Sequence, residues 1–276
     1  MPSPIMRYLL LLLCLLLNVA RADLSVVTSI PPLYQITAAI MQGAGSPELL
    51  IKDEHSAHHF SFKPSHFRTL QQADLVIWID RHFESGFQRL PEILPAQTYQ
   101  LEILPALGMK NQDGHIWYSP KLLIEMSHRI AAKLAELDAD NQHIYSRNRN
   151  IFQQQISQWR QGVEFLLSKN RPSFLLDHSF LQHFEDEFGI KPVAVIHNSH
   201  GQHRGIKALQ LIEQQLKQQS VKCLISNEAH ISSIGKSLAG QFSLSTHSIK
   251  TYANEGEVAS RFISHLQHLT EILRGC

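Results

Sequence analysis

The chain of 276 residues is short of cysteine: it has three, and none stands in a CxxC spacing, which counts against a thiolate metal site. Basic runs are missing, and the formal net charge is only +1, so the electrostatic footprint of a nucleic-acid binder is absent. There is no low-complexity tract. No apolar stretch beyond the amino-terminal one is long enough to cross a bilayer. The HExxH helix motif is also lacking, and no carboxylate stands at a motif spacing to act as general base, which counts against a zinc-dependent hydrolase. Glycine, at 13, is outnumbered by 17 histidines, and that excess is the chemistry the sequence does offer.

The first residues, MPSPIMRYLLLLLCLLLNVARA, place Arg7 before an apolar run from Tyr8 to Leu17 and end on Ala20-Arg21-Ala22. That pattern predicts a cleaved signal peptide over 1–22 and a mature chain outside the cytoplasm, starting after Ala22. The run is about 10 residues, against the roughly 20 that a spanning helix needs. Cys14 follows leucines rather than a small residue, so a lipid anchor is not expected there. Cys223 and Cys276 remain, and in an oxidising compartment they are expected to form one disulfide tying the tail to the sheet.

Apolar patterning then alternates between strand and helix. Leu24–Thr28, Glu48–Ile51, Leu75–Ile79 and Tyr99–Ile103 read as strands, with helices over Leu33–Met41, Pro64–Gln72 and Phe83–Leu90. Pro120–Leu137 is an amphipathic helix, and Ala139–Leu167 is a long, Gln-rich one expected to act as a connector rather than as core. Beyond it the strands Ser173–Leu176, Pro192–Ile196, Lys222–Ser226 and Phe242–Thr246 alternate with helices over Phe180–Phe188, Ile206–Gln218, Ile231–Ala239 and Gly256–Leu273. The predicted fold class is α/β: two similar four-strand parallel-sheet lobes, 23–138 and 170–276, joined by a linking helix at 139–169, with a cleft between the lobes.

Four histidines follow predicted strands: His58, His115, His178 and His247, two from each lobe. In open α/β sheets ligands bind beyond the carboxyl ends of the strands, so these four are candidate metal ligands. Imidazole suits Zn, Cu and Ni at neutral pH. Most of the other histidines read as ordinary solvated residues, and His197, His200 and His203 form a loop that could be an accessory site.

Three segments carry a family resemblance. Ala57-His58-His59-Phe60-Ser61-Phe62-Lys63-Pro64-Ser65 resembles the E-H-x-[YF]-x-x-[KR]-P-S segment of the metal-specific periplasmic solute-binding proteins, the cluster A-I receptors of ABC importers. Leu70 to Val76 is similar to their L-x-x-A-D-L-V strand, and His115-Ile116-Trp117-Tyr118-Ser119-Pro120 to their H-x-W-x-[SD]-P. His178 stands where zinc members have histidine and manganese members typically glutamate. The cysteine pair is similar to the disulfide of ZnuA-type zinc receptors.

The resemblance implies a Zn(II) cargo held by His58, His115 and His178, a periplasmic monomer, and an inner-membrane ABC permease as partner, with no enzymatic activity. The chain departs from the family where many relatives have Asp-Pro after the last strand. Here Thr246-His247-Ser248 stands instead, leaving His247, Glu228 or water as the fourth ligand. A periplasmic metallochaperone or an adhesin-like relative remains the alternative, and a zinc hydrolase the more distant one.

Overall fold

The computed structural model describes residues 23–52, 60–110, 112–199, 202, 205–227, 230–249 and 258–276. The signal segment therefore lies outside the described residues.

The first lobe opens with β1 (Val26–Thr28), α1 (Pro31–Met41) and β2 (Glu48–Leu49), then α2 (Pro64–Gln71) and β3 (Leu75–Trp78). A 3-10 turn at Ser85–Phe87 and α3 (Leu90–Ile93) lead to β4 (Tyr99–Glu102) and α4 (Ile103–Ala106). Pro31 and Pro32 suit the first turn of α1, where a missing N–H costs nothing. Leu75 to Trp78 are all buried, as expected of a parallel strand covered on both faces.

Two long helices follow. α5 (Pro120–Leu137) is capped by Ser119, whose hydroxyl accepts from the Leu122 N–H, and α6 (Gln142–Lys169) crosses to the second lobe. There β5 (Phe174–His178), α7 (Gln182–Phe188), β6 (Ala194–His197), α8 (Ile206–Gln218), β7 (Cys223–Ser226), α9 (Ser233–Phe242), β8 (Ser245–Ser248) and α10 (Val258–Gly275) repeat the alternation.

Among the described residues the strands form two four-stranded sheets, ordered β2-β1-β3-β4 and β6-β5-β7-β8, with every pairing parallel. The two lobes thus share one topology. Chain direction across the sheet reverses between β1 and β3 and between β5 and β7, the places where an open α/β sheet leaves a crevice for ligand.

Two expectations are corrected. The linking helix α6 is not a wet connector: Tyr145, Phe152, Ile156, Trp159, Val163 and Leu166 form a buried stripe packed against α1, α5 and α10. These residues recur every three to seven positions on one helical face, and they join both lobes into one apolar core. The last strand is also displaced. α9 runs on through Phe242 and ends at Ser243, which takes the left-handed conformation (φ 54°), so β8 starts at Ser245 and His247 lies inside it rather than after it.

Cys223 and Cys276 are joined, with 5.4 Å between their Cα atoms and a sequence separation of 53. The bond ties the end of α10 to the start of β7. By chain entropy, the C223A/C276A variant is expected to lose about 4 kcal/mol of unfolding free energy in a urea titration. A loss below about 1 kcal/mol would show that the tail is held by packing alone.

Candidate metal centre

His115 follows the loop after α4 and opens a 3-10 turn at Ile116–Tyr118, while His178 ends β5 at the crevice of the second sheet. Two lobes therefore supply one histidine each, and the rings meet edge to face with 5.0 Å between centroids. Both are buried, at 2% and 5% exposure, although histidine is polar. A pair of imidazoles removed from water needs partners, and each has one.

The His115 Nδ1–H donates to Asp113 Oδ1 at 2.7 Å, and the Asp113 carboxylate also accepts from the His115 N–H at 3.1 Å. This fixes the tautomer that carries its lone pair on Nε2, the arrangement of a carboxylate-oriented metal histidine. Burial on its own raises the Asp113 carboxyl. The adjacent His115, through charge and hydrogen bonds, and then His183 outweigh burial and hold it below its usual value.

His115 is seated by a fitted shelf. The Phe83 ring meets it edge-on at 5.0 Å, and Trp117 lies at 5.2 Å. Gly114 makes this possible, because a Cβ there would stand 2.2 Å from Phe83 Cδ2 and 2.8 Å from its Cβ.

His178 is oriented from its own sheet. Its Nδ1 lies 2.8 Å from Asn227 Oδ1, a contact that spans the β5–β7 crevice, and its Nε2 lies 3.2 Å from the Ser199 carbonyl. Burial first, then the neighbouring His115, push its pKa down to about 4, so at neutral pH the ring holds a single proton. One proton serves only one of the two oxygens. With the proton on Nδ1, Asn227 accepts it and Nε2 presents a lone pair toward the Ser199 side, as metal ligation requires.

The sequence candidates divide as follows. His115 and His178 are brought together. His58 lies outside the described residues, as do His55, His59, His200, His203 and Glu228. His247 on β8 pairs in register with Ile225, which pairs with Leu176, so it sits two residues short of His178 and two strands away. Strand spacing makes that about 12 Å between Cα positions. The His247 Nε2 lies 3.2 Å from the Ser245 hydroxyl on its own strand.

His197 donates its Nδ1–H to the Asp177 carbonyl at 2.7 Å, bracing β6 against β5. Among the described residues no group of three His, Cys, Asp or Glu side chains is arranged to hold a metal. A cavity of about 400 Å³ lined by Asp23, Asp74, Tyr99 and Asp138 opens at the opposite, amino-terminal edge of the first sheet and takes no part here.

Asp113, Asn227 and His183 were not singled out from sequence. The D-x-H spacing at 113–115 was the available signal for the first. Nothing local marks the other two, since their partners come from another strand and another lobe.

Comparison with known proteins places the whole described chain in one context. The sequence model of the family described as "Zinc-uptake complex component A periplasmic" matches residues 26–276. The high-affinity zinc uptake system protein ZnuA of Yersinia pestis is 26% identical over 240 residues, covering 74% of this chain and 76% of that one. ZnuA of Bacillus subtilis is 21% identical over 250 residues, covering 83% and 78%.

Among solved structures, the periplasmic zinc-binding protein TroA of Treponema pallidum superposes with a TM-score of 0.81 at 14% identity, over 92% of this chain and 99% of that one. The laminin-binding protein Lmb of Streptococcus agalactiae gives 0.80 at 19%, over 91% and 99%. At such identities the likeness to these structures establishes the two-lobed fold.

Proposed function

Because the chain belongs to the periplasmic zinc-uptake component A family, we propose that it captures Zn(II) in the periplasm, in the cleft between its lobes, and delivers it to the permease of an ABC importer. Zinc is cargo in this reading, and the protein is a receptor rather than an enzyme. The observation that carries it is the buried pair His115 and His178, one from each lobe, each ring held at Nδ1 by a hydrogen-bond partner that leaves Nε2 for a metal.

His58 is the third imidazole and His247 the fourth donor in this proposal. A nitrogen-rich set of this kind suits Zn(II) better than Mn(II) or Ca(II), which favour oxygen. A neutral His178 matters to capture, because a protonated ring has no lone pair to offer and must lose its proton before the metal enters. Burial has already removed that proton at neutral pH.

Neutral imidazoles leave the cation's charge uncompensated at the centre, and the Asp113 carboxylate, 2.7 Å from His115 Nδ1, is a fixed counter-charge close behind that ligand. Its role is to stabilise a positively charged complex without taking a coordination position. Copper and nickel also bind imidazole sites tightly, so in vitro affinity alone does not identify the cargo. The test is the metal content of protein isolated from its native compartment without chelators. Zinc at about one equivalent is expected. Manganese or iron as the dominant metal would contradict the reading.

A further inference from the structure

The short helix α7 belongs to the second lobe, yet its two ends are bonded to the first, on either side of His115. At its start, the His183 Nε2 lies 2.7 Å from the carbonyl oxygen of Asp113. A carbonyl only accepts, so His183 donates, and this places its proton on Nε2. At its far end, the Glu187 carboxylate accepts from the Ser119 hydroxyl and, at 3.3 Å, from the backbone N–H of Lys121 in the first turn of α5. A carboxylate there also meets the positive end of the α5 dipole.

Arg160 on the linking helix approaches the same carboxylate at 3.7 Å. The segment Asp113 to Lys121 is therefore held at both ends, and His115 lies between the two attachments.

The other side of α7 is equally fixed. Phe184 is fully buried and packs against Trp159 of α6 at 6.2 Å and Phe188 at 4.6 Å. The Trp159 indole N–H donates to Thr270 on α10 at 2.9 Å. Between His178 and α7 stand only Ser179, Phe180 and Leu181, and the last two are fully buried. The Phe180 ring contacts Tyr118, three residues after His115, at 5.4 Å. A short, packed path thus runs from one imidazole through α7 to the other.

We propose that α7 is a clamp that sets the spacing of the two imidazoles before metal arrives, with His183 and Glu187 as positioning residues that never touch the metal. Besides the clamp, the segment meets the second lobe through the Tyr118 hydroxyl, 3.2 Å from His265 Nε2 on α10, and through ring contacts that are non-directional and tolerate sliding. Hydrogen bonds at both ends of the segment convert that contact into a fixed register. The pair then needs no rearrangement on capture, and less of the binding free energy is spent on ordering the site.

The inference rests on the zinc-receptor reading for its effect on affinity, while the clamp itself is tested without metal. Zinc affinity by competition with a chelating dye, and amide hydrogen exchange of metal-free protein over residues 116–123, would be measured for the unaltered protein, H183A, H183Q and E187A. H183A and E187A are expected to raise the zinc Kd about 10- to 100-fold, the range seen when outer-shell partners are removed. Both should also accelerate exchange in that segment. H183Q keeps an N–H donor and should recover most of both losses.

Equal loss in H183A and H183Q would overturn the positioning role, as would Kd values within twofold of the unaltered protein together with unchanged exchange. Exchange is read on folded protein in the same samples. If the unaltered protein binds no zinc, the receptor reading fails, and the exchange data alone then decide the clamp.

Discussion

Replacing His178 with alanine is expected to weaken zinc binding about a hundred- to a thousandfold. Structural zinc sites bind with about 10–16 kcal/mol in all, so one ligand of four accounts for roughly 3–4 kcal/mol, and a tenfold change corresponds to 1.4 kcal/mol. His178 is a strong case because its ring is buried and neutral at pH 7, so little of its intrinsic affinity is lost to proton competition. Asn227 provides the internal comparison. Its amide oxygen lies 2.8 Å from the ring Nδ1 and has no direct access to the metal in this arrangement, so N227A should cost only about 10- to 100-fold. Calorimetric titration of both variants checks the ranking, and a His178 loss no larger than the Asn227 loss would remove His178 from the ligand set.

The second large effect concerns pH and lies behind the His115 shelf. Glu84 is fully buried next to Phe83, and its Oε2 accepts from the Ile79 N–H at 2.7 Å. Burial raises its pKa from 4.5 to about 8, with the Ser29 hydroxyl and Ile79 N–H opposing the rise and the neighbouring Asp80 adding to it. The group is an acid whose folded pKa lies above its unfolded one. Below about pH 4.5 both states hold the proton, and the folded state bears no penalty.

Between pH 4.5 and about 8 the unfolded chain releases that proton while the folded chain keeps it, so stability falls as pH rises, and above about 8 the difference is constant. At 1.4 kcal/mol per unit the whole loss is on the order of 5 kcal/mol. E84Q keeps an acceptor for Ile79 and never ionises. It is expected to be the more stable form above pH 8, by a few kcal/mol, and to lose that advantage at pH 5. Urea titrations of both proteins across pH 5 to 9 measure the difference. A pH-independent gap would mean that Glu84 is ionised in the fold or is reached by water.

Much of the architecture was legible because its signals are local. Leu75 to Trp78 form a continuous apolar run, and Pro120 followed by apolar residues at helical spacing marks the α5 start. Both elements stand where the sequence places them. Ser245 to Ser248 fared worse, since a polar edge strand has no apolar run and was read three residues early through Phe242 and Leu244. The Gln-rich surface of α6 hid its buried stripe for a similar reason: composition averages over faces that packing separates.

At the site, residue type and strand-end position singled out His115 and His178 as candidates, and the fold brings their two rings together. The roles of Asn227, His183 and Glu187 depend on which strands neighbour each other and how the lobes dock, and no sequence period records that. His58, outside the described residues, is proposed as a ligand from its motif, and His247, on the edge strand β8, from its place in the sequence pattern alone.

The claim on which the rest depends is that one zinc ion is held between the lobes by imidazoles from both of them. Zinc K-edge X-ray absorption of the loaded protein, compared with the H115A/H178A variant, tests it most directly. A shell of light atoms at about 2.0–2.1 Å is expected, with imidazole scattering from three or more rings that falls by two in the variant or disappears with the metal. A shell without imidazole scattering, or one identical in both proteins, would contradict it.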